Sequence, residues 1–253
     1  SSNRLTGLGM AANDASKGIE YSGISELNIG LGSAVDILTV ASTHGTTTNI
    51  DGNAGGDIFN LQTIAGLTTV NGNADSDTFN VGSGAAGTTG NKSFFNSGGT
   101  LNQIAGDLRI NGHAPTGNSD VLNVDFSGDA AANTGTNAGN LTLNQITGLG
   151  MAVGITYNTI ETVNIFFGSN VDEFTVESTH GGATNLNGNN GADIFNIRTI
   201  SGNTTVNSGN GADTINVGSN AQGDTVTRDD NSGGTVNGIA ALDYVFGSPA
   251  GIS

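Results

Sequence analysis

Apolar and polar residues alternate along this chain in short runs, and glycine, asparagine or aspartate closes nearly every run. No stretch keeps a helical spacing of apolar side chains, whereas alternation over a few residues between turn formers is the signature of half-buried strands. The pattern predicts strands at 27–29, 36–40, 48–50, 57–61, 68–71, 77–81, 101–104, 108–111, 120–124 and 141–145, with partners further along the chain. Within residues 57–61, alternation turns Phe59 and Leu61 inward and leaves Ile58 and Asn60 outside; Asn60 with Asn80, and Asn196 with Asn216, then stack as amide ladders. Ile37, Ile58 and Ile194 form a narrow outward apolar stripe on the same reading.

The strands recur on two scales. Residues 188–196 read GNNGADIFN, and close copies stand at 52–60 (GNAGGDIFN), 72–80 (GNADSDTFN) and 208–216 (SGNGADTIN). Weaker echoes surround Asp36 and Asp172, so the aspartates follow one another at 20 or 21 residues inside each cluster. A larger duplication of 136 residues carries Asp36, Asp57 and Asp77 onto Asp172, Asp193 and Asp213. The boundaries read as 1–141 for a first long unit, with a five-residue insertion near 13–17, and 142–253 for a second, shorter by about one coil. A stride near twenty residues is a coil length, which leads to an all-β chain folded as a parallel β-solenoid (β-helix or β-roll) of about twelve coils, with roughly 20 to 22 residues per coil. Neither end carries a capping helix, so the expectation is an excerpt of a longer array or a protomer that stacks end to end.

Composition narrows the partners. With 22 acidic residues against six basic ones, the net charge is −16, which repels nucleic-acid backbones and anionic lipid surfaces and attracts cations. No apolar run is long enough to span a bilayer, and no cysteine is present to build disulfides or thiolate metal sites. An enzyme is not expected: the basic residues are scattered, and a duplicated scaffold shows no unrepeated cluster of catalytic groups. His44 and His180 fall in the same STHG turn of each unit and read as turn residues. An ice-binding face would need outward threonines on every coil, and Ala183 and Asn185 break that regularity.

The turn pattern at Gly52, Gly55, Asp57 and Phe59, and again at Gly188, Gly191, Asp193 and Phe195, resembles the haemolysin-type calcium-binding (RTX) nonapeptide. That resemblance implies calcium held between neighbouring turns, with Asp57 paired to Asp77, Asp193 to Asp213, and Asp36 and Asp172 as weaker ligands. The pattern occurs once per twenty residues here, not twice per eighteen, and Asp75 and Ser208 replace glycines. An aspartate opening a strand can also accept bonds from turn amides without any ion. Longer stretches such as ITGLGM, NVDFSGD and NVGS look like the long repeats of giant bacterial surface proteins. Together these imply a secreted or cell-surface segment, structural and adhesive, self-associating end to end or laterally into fibres, with extracellular polysaccharide as a candidate target.

Overall fold

The computed structural model describes residues 4–6, 10, 18–92, 97–113, 119–241 and 243–247; the expected insertion near 13–17 lies outside them. Strands β1 (Arg4–Leu5) and β2 (Ile19–Glu20) form a small antiparallel pair. The first unit continues with β3 (Glu26–Gly30), β4 (Ile37–Val40), β5 (Thr47–Asp51), β6 (Ile58–Leu61), β7 (Thr68–Asn71), β8 (Thr78–Val81), β9 (Leu108–Asn111) and β10 (Val121–Asp125). A short 3-10 turn at Gly135–Asn137 precedes β11 (Gly139–Thr142), β12 (Gln145–Thr147) and β13 (Ile155–Asn158). The second unit contributes β14 (Thr162–Phe166), β15 (Glu173–Val176), β16 (Ala183–Asn187), β17 (Ile194–Ile197), β18 (Thr204–Gly209), β19 (Thr214–Val217) and β20 (Asp243–Gly247).

The uniform parallel solenoid of about twelve coils is not what forms. These strands gather instead into two large sheets, one of eight in the order β20-β18-β16-β14-β10-β8-β6-β4 and one of ten in the order β19-β17-β15-β11-β12-β13-β9-β7-β5-β3. The ten-stranded sheet is mixed, because β12 runs antiparallel to both β11 and β13. Nor is the stride constant. Along the eight-stranded sheet, stacked asparagines are 20, 43, 41 and 21 residues apart, and along the ten-stranded sheet the intervals reach 40 and 47. The twenty-residue period holds only inside each aspartate cluster. Between clusters the chain leaves the sheets, and the expected strand at 101–104 is a turn that buries Leu101 and Ile104 in the core but joins a sheet partner only by the bridge from Ile64 to Ile104.

Both sheets feed one hydrophobic core. Leu38, Phe59, Phe79, Leu122, Val163, Leu186 and Val206 enter from the eight-stranded sheet, and Ile29, Ile50, Val70, Ile110, Tyr157, Phe174 and Phe195 from the ten-stranded one. Parallel in-register pairing puts like on like: Phe59 stacks on Phe79 with ring centroids 5.1 Å apart and planes 9° from parallel.

Strand by strand, β3 to β8 of the first unit correspond to β14 to β19 of the second, and each lies on the opposite sheet from its counterpart. From β3 to β14 the chain changes sheet nine times, since β11, β12 and β13 share one sheet. An odd number of changes exchanges the sheets. The second unit is therefore displaced along the stack and given a half-turn about it.

Candidate functional site

The sequence-predicted aspartates do meet. Each opens a strand, and in-register pairing sets each beside the next, forming two files on opposite sheets. In the first, the amide of Asp36 donates to Asp57 Oδ1 (2.8 Å), that of Asp57 to Asp77 Oδ1 (2.7 Å), and that of Asp77 to Asp120 Oδ1 (2.8 Å). The amide of Asp120 then donates to Glu161 Oε2 (2.7 Å). In the second file, the amide of Asp172 donates to Asp193 Oδ1 (2.9 Å) and that of Asp193 to Asp213 Oδ1 (3.0 Å). Asp172 itself accepts from Asn133 Nδ2 (2.8 Å) and from the Gly168 amide (3.1 Å). Each file therefore stitches the start of one strand to the start of its neighbour.

Asp120 and Glu161 were not among the predicted ligands. Their signal was present in NSDVLNV and IETVNI, where an acid precedes a core Leu122 or Val163 by two residues, but the glycines that define the nonapeptide are missing there.

At four of these carboxylates one oxygen is committed and the other is not, whereas Asp172 has both oxygens bonded. Asp57, Asp77, Asp120 and Asp193 are fully buried, and the Oδ2 of each has no hydrogen-bond partner. Burial pushes the Asp57 carboxyl up to about 6, against the pull of the Asp36 amide and of Lys92. It pushes Asp77 to about 7 and Asp193 to about 8, again opposed by an amide bond and by the nearby basic side chain, Lys92 or Arg228. Asp172 rises to about 6 and Asp120 rises as well, both chiefly through burial. Asp125 shows what full satisfaction does. Burial works to raise it too, but Ser127 and Ser97 donate from hydroxyl and amide alike, and the net effect holds its carboxyl below the usual value.

Two loops cover the outer faces of the strands beside these turns. In the first unit, Gly87 exchanges bonds with Asn60 (2.7 and 3.1 Å), Gln62 Nε2 donates to Ala85 O (2.8 Å), and Asn80 Nδ2 donates to Lys92 O (2.9 Å). At the positions 136 residues later, Gly223 exchanges bonds with Asn196 (both 2.8 Å), Arg198 Nε donates to Ala221 O (2.8 Å), and Asn216 Nδ2 donates to Arg228 O (2.8 Å). The loops correct the expected outward stripe. Ile58 and Ile194 are fully buried beneath them, and only Ile37, which no such loop reaches, stays exposed. The amide ladders form as expected but lie under cover: Asn60, Asn80 and Asn123 are all buried, and the column continues through Asn164 to Asn185.

Calcium asks for six to eight oxygens at about 2.4 Å, with backbone carbonyls among them. The donor set here falls short of that. Each predicted aspartate gives one oxygen to an amide, and turn carbonyls are already engaged: Gly56 O by Lys92 Nζ (3.2 Å), Ala192 O by Arg228 Nη1 (2.8 Å), and Asp193 O and Ala212 O by Arg228 Nη2 (2.9 and 2.8 Å). Among the described residues, no group of three or more His, Cys, Asp or Glu side chains is arranged to hold a metal ion. His44 and His180 act as turn residues here: the Nδ1 of each takes the amide two residues on, from Thr46 (3.3 Å) and Gly182 (3.1 Å).

No helix among the described residues is long and apolar enough to cross a membrane. Comparison with protein-family models, with curated proteins and with solved structures finds no match to this chain.

Proposed function

We propose that the chain is a structural and adhesive segment of an extracellular bacterial fibre or cell-surface filament. The observation that carries this reading is the parallel, in-register continuity from the first unit into the second. β10 pairs with β14 and β9 with β13, so the duplicated units prolong the same two sheets. Amide columns run along both sheets through that junction, from Asn123 to Asn164 and from Asn111 to Asn158. Such an architecture adds length with each unit while creating no new enclosed chamber. The likeness of the long repeats to those of giant bacterial surface proteins supports the extracellular setting, and the acidic surface supports a chain kept apart from its neighbours until specific contacts form.

End-to-end self-association belongs to this reading. The end strand β20 carries Tyr244, Val245 and Phe246, each about half exposed, on a sheet edge whose backbone has no further strand among the described residues. Negative-stain images and light scattering over a concentration series test it. Elongated particles that lengthen with concentration are expected; compact, monodisperse particles at every concentration would overturn it.

A calcium-dependent RTX-like adhesin is a second reading, favoured by the four buried carboxylate oxygens that lack a partner. It requires calcium to raise the melting temperature of the unaltered chain and a chelator to lower it, and a circular-dichroism melt indifferent to both removes it.

A further inference from the structure

Two of the six basic residues in the chain stand at the same place in the two units. Lys92 and Arg228 are 136 residues apart, each at the end of a covering loop, and each reaches the turn in front of an equivalent aspartate, Asp57 or Asp193. Lys92 Nζ lies 3.2 Å from Gly56 O, the carbonyl just before Asp57. Arg228 spans more of the equivalent turn: Nη1 meets Ala192 O, Nη2 meets Asp193 O and Ala212 O, and Nε meets Thr214 Oγ1 at 3.1 Å. Gly56 and Ala192 are themselves equivalent, so the same carbonyl accepts the cation in both units.

We infer that Lys92 and Arg228 are the resident cations of the two acidic turns, delivered by the covering loops to the places where a divalent ion would otherwise be drawn. The charge argument is direct. Carboxylates stacked one strand apart, about 4.8 Å, repel one another in a poorly solvated setting, and a positive group close by offsets that repulsion. Both cations act on the files at short range without forming a salt bridge to any of these aspartates, among the described residues. They do so by filling the carbonyl positions that a calcium ion would need.

The loops make the placement durable. Each is fixed by the two-way amide exchange at Gly87 or Gly223 and by an asparagine bonded to the carbonyl of the basic residue itself, Asn80 to Lys92 and Asn216 to Arg228. A Cβ at Gly87 would run into Asn80 Nδ2 and Lys92 O, and one at Gly223 into Asn216 Nδ2 and Arg228 O. That contact leaves no slack in the arm. Arg109 and Arg198 serve elsewhere, paired with Asp107 and Glu177. Arginine engages its turn through four hydrogen bonds and lysine through one, so the second unit holds its cation more firmly.

The test compares the unaltered chain with Lys92→Met, Arg228→Met and the exposed control Arg109→Met, using thermal melting and titration with calcium chloride alone, with and without chelator. The unaltered chain and the control are expected to melt at the same temperature with or without calcium. Each turn variant is expected to melt lower, to recover part of the loss in calcium, and to bind the ion at least about tenfold more tightly than the unaltered chain does. Stoichiometric calcium binding and stabilisation in the unaltered chain would overturn the inference, as would turn variants that gain no calcium response. Should Arg228→Met fail to fold, refolding yield with and without calcium gives the answer: rescue supports the inference, and no rescue together with a calcium-indifferent Lys92→Met sinks it. The charge-keeping Arg228→Lys and Lys92→Arg are expected to remain indifferent to calcium, which a role in packing alone would not require.

Discussion

The two units are near copies in sequence, and yet equivalent side chains live in different surroundings. Ile37, on the edge strand β4, is about half exposed, while its counterpart Glu173 is buried on β15 and takes amides from Gly135 and Thr225 at 2.9 and 2.8 Å. His44 stays partly open, whereas His180 is buried in the same tetrapeptide, and desolvation lowers its pKa. Even the ring contacts are conserved, Tyr21 to His44 at 5.9 Å and Tyr157 to His180 at 6.0 Å, both edge-on. Place in the stack, more than local sequence, decides burial. A residue at a sheet edge faces solvent, and its twin inside the stack must find partners or lose its charge.

The covering loops are where that comparison breaks most easily. Replacing Gly223 by alanine forces the arm off Asn216 and releases Arg228 from its turn, and we expect a loss of about 3 kcal/mol in denaturant unfolding. Gly87→Ala should cost less, because Lys92 surrenders one hydrogen bond where Arg228 surrenders four. Equal losses would show that the arms act through packing alone.

Next in size is the amide column. Asn123→Leu, at a fully buried position, removes the bond Asn123 gives to Asn80 Oδ1 and the one it takes from Asn164 Nδ2, for an expected loss of about 2 kcal/mol. Asn49→Ala, on an exposed ladder next to edge strand β3, should stay within about 0.5 kcal/mol by the same measurement. If both cost the same, burial of the column is irrelevant to its strength.

A dependence on pH with an unusual sign is expected as well. Carboxyls whose folded pKa is raised keep their protons after the unfolded chain has lost them, so stability falls as pH climbs from about 4 toward the folded values of about 6 to 8 at Asp57, Asp172, Asp77 and Asp193. Asp125 works the other way, stabilising above its unfolded value and losing that contribution in acid. A melting temperature that drops by about 5 °C between pH 5 and pH 8 is expected, with a shallower drop in Asp193→Asn. A melting temperature that rises over that interval would mean that these carboxyls are charged and well partnered.

Much of this was open to reading from the sequence, and the failures have physical causes. The strands near Asp36, Asp57, Asp77 and their counterparts were legible because the core demands alternation, and Asp57 with Asp77 and Asp193 with Asp213, which the RTX resemblance set together, do lie on neighbouring strands. The uniform coil did not survive, because segments such as 97–107 lie outside the sheets although the apolar residues Leu101 and Ile104 read as a strand there, and nothing in alternation tells a buried turn from a strand. The covering loops bury Ile58 and Ile194, which alternation alone sends to the surface. The clue lay in the long period: Gly87 with Gly223, Asn80 with Asn216, and Lys92 with Arg228 each repeat at 136, a coincidence that a purely solvated loop has no reason to keep. Which sheet a strand joins could not be read, because alternation is identical on both sides of a shared core.

The exchange of sheets between units reaches beyond the fold. Whatever emblem the first unit shows on its left flank, the second shows on its right, so that a receptor recognising one arm would find its next copy facing away from it. Such a chain is two-sided by construction, where a chain with every emblem on one flank would present a single face.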